Sequence, residues 1–594
     1  MFRFPWSSAA VTAAAAALSA CGGGGGGESD SPANPAAAPT PSPSPSPSPS
    51  PSPSPSPAPS PAPAPVDAPA PAPSPAPAEA PAPAAALPLP SDAQAARFLA
   101  QAGFGATPAD IATLKSVGYT AWLDLQFIAP RTESYWDFMV RKGWGAETYK
   151  YHYYNGFINS TWRKLMSSPD QLRQRMVLAL SEIFAASAVV MDVPWRSFGM
   201  SFYADTLEAN AFGTYRQLLE AVALTPAMGI CLAMRGSRKE DTATGRQPDE
   251  NFARELMQLF TIGLYELNLD GTVKTSGGKP VETYTQQNVT ELARVFTGWN
   301  VDTTNASGSD YSFMGRPMVH NAANFSGGAK SVLGASIPAG ANGLTALRAA
   351  LDTLANHPNV GPFFGRQLIQ RLVCSNPSAA YVQRVATVFN DNGQGVRGDL
   401  KAVLRAILLD SEARFPTGSA SSGKLREPVQ RFVQFARSTG MTSPSGDWGL
   451  WEYSEPSKLG QQPFFSPSIF NFFRPGYVPP TSQLGQNGIT APEFQLCNET
   501  TVAGYLNFMQ GVIHAGLADV KPDYAADLAL ATDARALVAR QALLLAGDSI
   551  SDATQGQIAA ALNTIAASTD AGKLNRVKAS WMLLLACPEY QVQK

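Results

Sequence analysis

From Ser91 onward, apolar residues recur every three or four positions, the spacing that gathers them on one face of a helix. Thr107-Pro108-Ala109-Asp110 supplies a hydroxyl cap, a proline for the first helical position and an acid two residues on, with Gly118 as a stop. Ser168-Pro169-Asp170-Gln171 repeats the device ahead of Leu172, Met176, Val177, Leu180 and Phe184 on one face. Further helices are predicted over 205–225, 249–262, 285–297, 344–355, 361–373, 378–389, 399–409 and 427–437, with three or more between 525 and 587.

Strand-like alternation is scarce. The stretch 301–343, rich in Gly, Asn and Ser, is too glycine-broken for helix and is expected to hold one small β-hairpin around Lys330 to Leu333. A second irregular stretch, 443–490, is thick with Pro, Phe and Trp. The expected fold is mainly α: one large multi-helix domain over 91–594 with a Gly/Asn-rich and a Pro/aromatic-rich insertion.

The first 90 residues have a different character. A short segment containing Arg3, an apolar run of about ten residues from Ala9 to Leu18, and Leu18-Ser19-Ala20-Cys21 have the layout of a lipoprotein signal, 1–20, whose cleavage leaves Cys21 as the lipidated N-terminus. The run is shorter than the roughly 20 residues that cross a hydrocarbon core, so the expected anchor is lipid, with the membrane as partner. Residues 21–90 then read as a tether, all glycine from Gly22 to Gly27 and almost entirely Pro, Ala and Ser from Pro32 to Pro90. In polyproline II form this tether reaches up to roughly 180 Å. Gly22 stands where an aspartate would favour inner-membrane retention, so the expected location is the cell envelope at the outer membrane.

Of 594 residues the charged ones nearly cancel, to a formal −2, which argues against nucleic acid as a partner. Cys231, Cys374, Cys497 and Cys587 are widely separated, without zinc-cluster spacing, and their pairing cannot be chosen. The four histidines, His152, His320, His357 and His514, show neither H-x-x-x-H nor H-E-x-x-H spacing, and no nucleophile elbow or phosphate-binding glycine loop is present. No metal and no cofactor is therefore expected. His357, before Pro358, reads as a helix end. His152 sits in an aromatic run, Tyr151 to Tyr154, where packing is the commoner fate. Trp448, Trp451, Phe464, Phe465, Phe470, Phe472 and Phe473 would form a binding surface if exposed.

The densest chemistry lies on two amphipathic helices. In 247–263, Phe252, Leu256, Leu259 and Phe260 share a stripe, leaving Asn251, Arg254, Gln258 and, at the border, Glu255 on the other side, with Glu250 and Arg254 spaced i,i+4. In 284–299, Val289, Leu292, Ala293 and Phe296 form the core stripe, opposite Glu291 and Arg294. A solvated face laced with ion pairs is the better reading of each. The functional alternative lines a cleft with them, Glu255 acting as base or ligand and Arg254 binding an anion. The two helices are expected to pack together and cross-pair their charges.

Gly103 to Pro108, Gly118 to Leu123, Asn210 to Gly213, Pro248 to Gly263, Ala293-Arg294 with Thr297 to Trp299, His357 to Asn359 and the closing Cys587-Pro588-Glu589-Tyr590 together resemble the bacterial domain-of-unknown-function family numbered 1800. The resemblance covers about Ala95 onward and implies a secreted, mostly helical protein without an assigned activity. Members are often encoded beside a second family, numbered 1501, which makes a secreted protein of that family the expected partner. The carry-over falls on Glu250, Asn251, Arg254, Glu255, Arg294 and Trp299, and more loosely on His320 with Lys330 and on His357. The family commonly has acids after the Tyr-Thr pair, whereas Gln286, Gln287 and Asn288 are neutral here, and its His-Asp pair reads His320-Asn321. Those departures weaken any metal or general-acid scheme at these positions.

Two functions fit this sequence. The first is a lipid-anchored scaffold that binds a secreted partner, with the Glu/Arg motifs as internal bracing. The alternative is an envelope hydrolase acting on a polymer through a Glu/Arg/Asn cleft.

Overall fold

The computed structural model describes residues 87–151, 153–415 and 422–594. The signal with Cys21, the tether as far as residue 86, and His152 lie outside the described residues, and of the expected tether Leu87 already packs on the core. Helices dominate the rest, and the sheet content is four two-stranded antiparallel ladders.

The first part of the domain is built from α1 (Asp92–Ala102), α2 (Pro108–Ile128), α3 (Tyr135–Arg141), α4 (Asn155–Ser167), α5 (Gln171–Ile183), α6 (Arg196–Asn210) and α7 (Tyr215–Ala223). Helix α5 is the axis: every residue in it is buried, and it packs on α2, α4 and α6. Thr107 caps α2 through a reciprocal box with Asp110, as its spacing predicts. Gly118, at φ 79°, breaks the helix there, and the chain resumes helical geometry directly. Two expectations are corrected here. The start of α5 is set by Asp170 and not by Ser168, whose hydroxyl instead meets Thr132 at 3.0 Å. The run 205–225 is two helices, because Gly213 and the Thr214 capping box, closed by Gln217, end one and begin the next.

Next come α8 (Pro226–Cys231), α9 (Asn251–Glu255) and α10 (Gln286–Val295), and here a third expectation is corrected. The predicted helix over 249–262 is α only as far as Glu255 and continues as a π-helix, Leu256–Thr261. Its bonds span five residues, as in Ile262 N–H to Met257 C=O at 2.9 Å. Two-residue ladders join β1 (Thr275–Ser276) to β2 (Lys279–Pro280) and β3 (Trp299–Asn300) to β4 (Val319–His320). The predicted hairpin is present as β5 (Lys330–Val332) against β6 (Ala335–Ile337), turning at Leu333-Gly334.

Helices α11 (Gly343–Asn356), α12 (Val360–Leu372), α13 (Ala379–Asn390) and α14 (Leu400–Leu409) follow as expected, with α12 packed on α5 and His357 closing α11. Helix α15 (Pro428–Ser438) bridges α4 and the C-terminal group α16 (Glu499–Ala515), α17 (Ala534–Ala546), α18 (Asp552–Asn563) and α19 (Asp570–Ala586) through α17. A last ladder pairs β7 (Lys424–Leu425) with β8 (Val592–Gln593). The aromatic stretch is not the open surface its composition allowed: Trp448, Phe464, Phe465 and Phe473 are buried, while Trp451 and Phe470 are 64% and 38% exposed.

Candidate functional site

The two Glu/Arg helices do pack together, with Phe252 of α9 edge-on to Phe296 at 4.7 Å. Their charges are not cross-paired. Arg254 binds Glu250 of its own helix at 3.0 Å, and Arg294 binds Glu291 of its own at 3.0 Å. A partner one turn away on the same helix needs no long side chain to be reoriented. The helices are joined instead through neutral groups: Gln286 and Thr290 of α10 both donate to Glu250, and Arg254 donates to Gln286 Oε1 at 3.2 Å. Arg294 also donates through Nε to Ser326 Oγ and through Nη1 to the Ala329 carbonyl, each at 3.0 Å.

Arg254 and Glu250 are 39% and 32% exposed, and Asn251 is exposed. Glu255 is different. It is 5% exposed, its Oε2 has no hydrogen-bond partner, and burial raises its pKa against the opposing pull of Arg254. Beside it Tyr284 donates to Gln258 Oε1 at 3.2 Å. His320 and Lys330 both pack on Phe325, at 4.8 and 4.5 Å, and Lys330 is committed to the carbonyls of Ser326 and Gly328.

A second cluster went unread in the sequence. Arg175 and Glu182 of α5, Arg371 of α12, Lys424 of β7, Glu427 at the cap of α15, and Glu493 are all buried together. Arg371 meets Glu182 at 3.0 Å, and Lys424 lies 3.3 Å from both Glu427 and Glu493. Gln430 and Gln461 donate to the two oxygens of Glu427 at 2.6 and 2.7 Å. Burial, and then the neighbouring Glu427, push the Glu182 carboxyl well above the usual carboxylate range. Burial also raises Glu427, but Lys424, a hydrogen bond with Glu182 and Arg175 outweigh it and hold that group at about 2. Several polar atoms here have no hydrogen-bond partner, among them Glu182 Oε1, Arg175 Nε and Arg371 Nη1. The signal for this cluster was Lys424-Leu425-Arg426-Glu427-Pro428, three charges packed against a helix start, and Glu182 on the otherwise apolar run of α5.

A family model described as a protein of unknown function, DUF1800, matches residues 97–592. The chain belongs to the DUF1800 family. No curated protein and no solved structure matches it.

The DUF1800 match thus contains both clusters. Among the described residues, no three His, Cys, Asp or Glu side chains are grouped to hold a metal ion. A groove of about 600 Å³ between α6 and α7 is lined among others by Arg131, Asp205, Asn210, Arg216 and Glu220. Asp205 receives the N–H groups of Tyr135 and Trp136 at 2.9 and 3.0 Å, yet burial raises its carboxyl to about 7. None of Glu250, Asn251, Arg254, Glu255 or Arg294 lines this groove.

Proposed function

We propose that this DUF1800 protein is a lipid-tethered helical binding protein of the bacterial cell envelope, held by Cys21 at the outer membrane and presenting its domain to a secreted partner on a long Pro/Ala/Ser tether. The observation that carries the reading is the state of Arg254 and Arg294. Arg254 shares its Nη2 between Glu250 and Gln286, and Arg294 commits Nε and Nη1 to Ser326, Glu291 and the Ala329 carbonyl, contacts within the domain that support a bracing role for both. A hydrolase working through Glu250, Asn251 and Arg254 would need those bonds broken first. Trp451 and Phe470, and around Tyr154 the exposed Tyr151, Tyr153, Val189 and Val190, offer apolar contact area of the kind partners bury.

Among the described residues no helix is long and apolar enough to cross a membrane, in keeping with an anchor supplied by lipid. Cys21→Ser should move the protein from the membrane fraction to the soluble fraction, and unchanged retention of the processed mutant would sink the anchor. For the partner, calorimetry of the purified chain with a secreted family-1501 protein should register binding that Trp451→Ala weakens by about 1 to 3 kcal/mol. Absence of binding by the wild-type chain would refute the scaffold role.

A further inference from the structure

A second cavity, of about 290 Å³, opens between the end of α8, the strand β3 and the chain just ahead of α6. Its apolar walls are Val193, Pro194, Ile230, Val301, Phe313 and Met314, and the polar side chains of its lining are those of Arg235, Asn300 and Thr303. Local chemistry puts Arg235 there. Its N–H reaches back to the Gly229 carbonyl at 2.8 Å and closes α8, while Ala233, in left-handed backbone at φ 60°, turns the chain without a glycine. Gly236 N–H then bonds the Trp299 carbonyl at 2.9 Å and Gly298 N–H the Ser237 carbonyl at 2.8 Å, which lays this segment alongside Trp299 and Asn300 of β3. On the α6 side Trp195, also left-handed at φ 58°, donates its N–H to the Lys150 carbonyl at 2.8 Å and fixes the turn that carries Val193 and Pro194.

The polar groups of this cavity are donors left unspent. Asn300 Oδ1 is taken by the Val301 N–H at 2.9 Å, which leaves the Asn300 amide N–H groups. Among the described residues no acceptor of the chain meets these, the Thr303 hydroxyl or the Arg235 guanidinium. The acids closest in sequence are already held: Asp192 lies 4.0 Å from Arg196 and Asp302 3.8 Å from Arg316. Arg238 and Lys239 follow Arg235, both exposed, while Glu240 and Asp241 beyond them pair with Arg294 and Arg246 at 3.8 and 3.7 Å. The local field therefore favours an anion.

We propose that this cavity binds a carboxylate with a short apolar body, its oxygens on Arg235, Asn300 and Thr303 and its body against Ile230, Phe313 and Met314. The inference goes beyond the scaffold role, does not rest on it, and uses none of the Glu/Arg motif residues. The guanidinium fork matches the two oxygens of a carboxylate, and one arginine with two neutral donors suits a single negative charge. A phosphate would bring a third oxygen and more charge into a lining that is otherwise apolar, where an unpaired polar atom is costly. A few placed polar groups on apolar walls is the usual make-up of a small-ligand site, and at about 290 Å³ this one stands at the small end, sized for one aromatic or branched group and not for a polymer. Two sources offer the same chemistry: a free aliphatic or aromatic acid, and the last residue of a peptide that ends in an apolar side chain.

The test titrates the full mature chain by calorimetry with 3-phenylpropionate and its neutral counterpart 3-phenylpropionamide, and with acetyl-Gly-Gly-Phe and its C-terminal amide. An acid is expected to bind, and its amide to bind about 10- to 100-fold more weakly, the span of one charged hydrogen-bonded contact. R235Q should weaken the acid by the same factor and leave the amide unchanged. R238Q, outside the lining, should change binding by less than about 3-fold. T303W, at an exposed position, fills the cavity with Arg235 intact and should abolish binding, so the site stays testable even if R235Q fails to fold. Binding of the tripeptide acid assigns a peptide terminus as the ligand, and binding of phenylpropionate alone assigns a free acid. The proposal is overturned if neither acid binds at millimolar concentration, if the amides bind as tightly as the acids, if T303W binds like the wild type, or if R238Q weakens binding as much as R235Q. None of these outcomes bears on tethering by Cys21 or on partner binding through Trp451.

Discussion

Gln286 Nε2 donates to both carboxylate oxygens of Glu250, at 3.0 and 2.8 Å, so a neutral side chain does the joining between α9 and α10. An acid at 286 would set two carboxylates against each other. Gln286→Glu should therefore lower stability by about 1 kcal/mol at neutral pH, with the loss shrinking in acid as the pair protonates. A thermal melt series across pH checks this, and an unchanged melting temperature would show that the bridge is not formed in solution.

Arg254→Ala should cost about 1 kcal/mol or less, because the Arg254–Glu250 pair is more than one-third open to solvent on the arginine side. The buried-pair penalty of about 3 to 5 kcal/mol belongs elsewhere. Lys164 and Glu208 are both fully buried and meet at 2.7 Å, with Gln174 also donating to Glu208. Lys164→Met takes away the buried cation and leaves that carboxylate only Gln174 and the part-exposed Arg131, at 3.2 Å, so it should cost the larger amount. Denaturant unfolding of the two variants side by side tests the ranking, which fails if Arg254→Ala is the more damaging.

Stability should fall as pH rises from about 4 towards 7. Asp205 titrates near 7 when folded, against an ordinary value of 3.8, so in that window the folded chain binds the extra proton. Each pH unit then removes up to about 1.4 kcal/mol per such group. Burial acts in the same direction on Glu182, Glu255 and Asp527. Glu427 acts oppositely: its contribution is present above 4.5 and is lost as pH falls towards about 2. Asp205→Asn should flatten the profile between 4 and 7, and a slope identical to wild type would show that Asp205 is ionised throughout.

A chain starting at Ser91 should melt lower than one starting a few residues before Leu87. Leu87 packs against the core, and Leu89 lies over Gly118. Losing a half-buried leucine should cost about 1 kcal/mol. Equal melting of the two chains would mean that this entry segment contributes nothing.

Much of the helical fold was legible because local chemistry marks its boundaries. Thr107, Thr285, Ser378 and Asp399 each cap the helix their spacing announced. The single helix expected over 205–225 failed where Gly213 and Thr214 were outweighed by continuous apolar periodicity. The π-helix after Glu255 was invisible because its apolar stripe fits a 3.6-residue repeat just as well. At the site, the i,i+4 rule found the Arg254–Glu250 pair, but the bridging role of Gln286 depends on the packing of two helices. The buried cluster was missed for a physical reason: Glu182, Lys424 and Glu427 are residue types expected in water, and only the convergence of distant segments removes the water around them.

The ladder between β7 and β8 ties the last residues of the chain to the strand that carries Lys424, and Gln593 reaches on to the carbonyls of Leu372 and Val373. The neighbourhood of the charged cluster is therefore completed only after residue 593 has been made. Earlier helices can collapse before residue 593 exists, but this region must wait for it, so loss of residues 592–594 would unpair the strand that carries Lys424 and free the carbonyls of Leu372 and Val373.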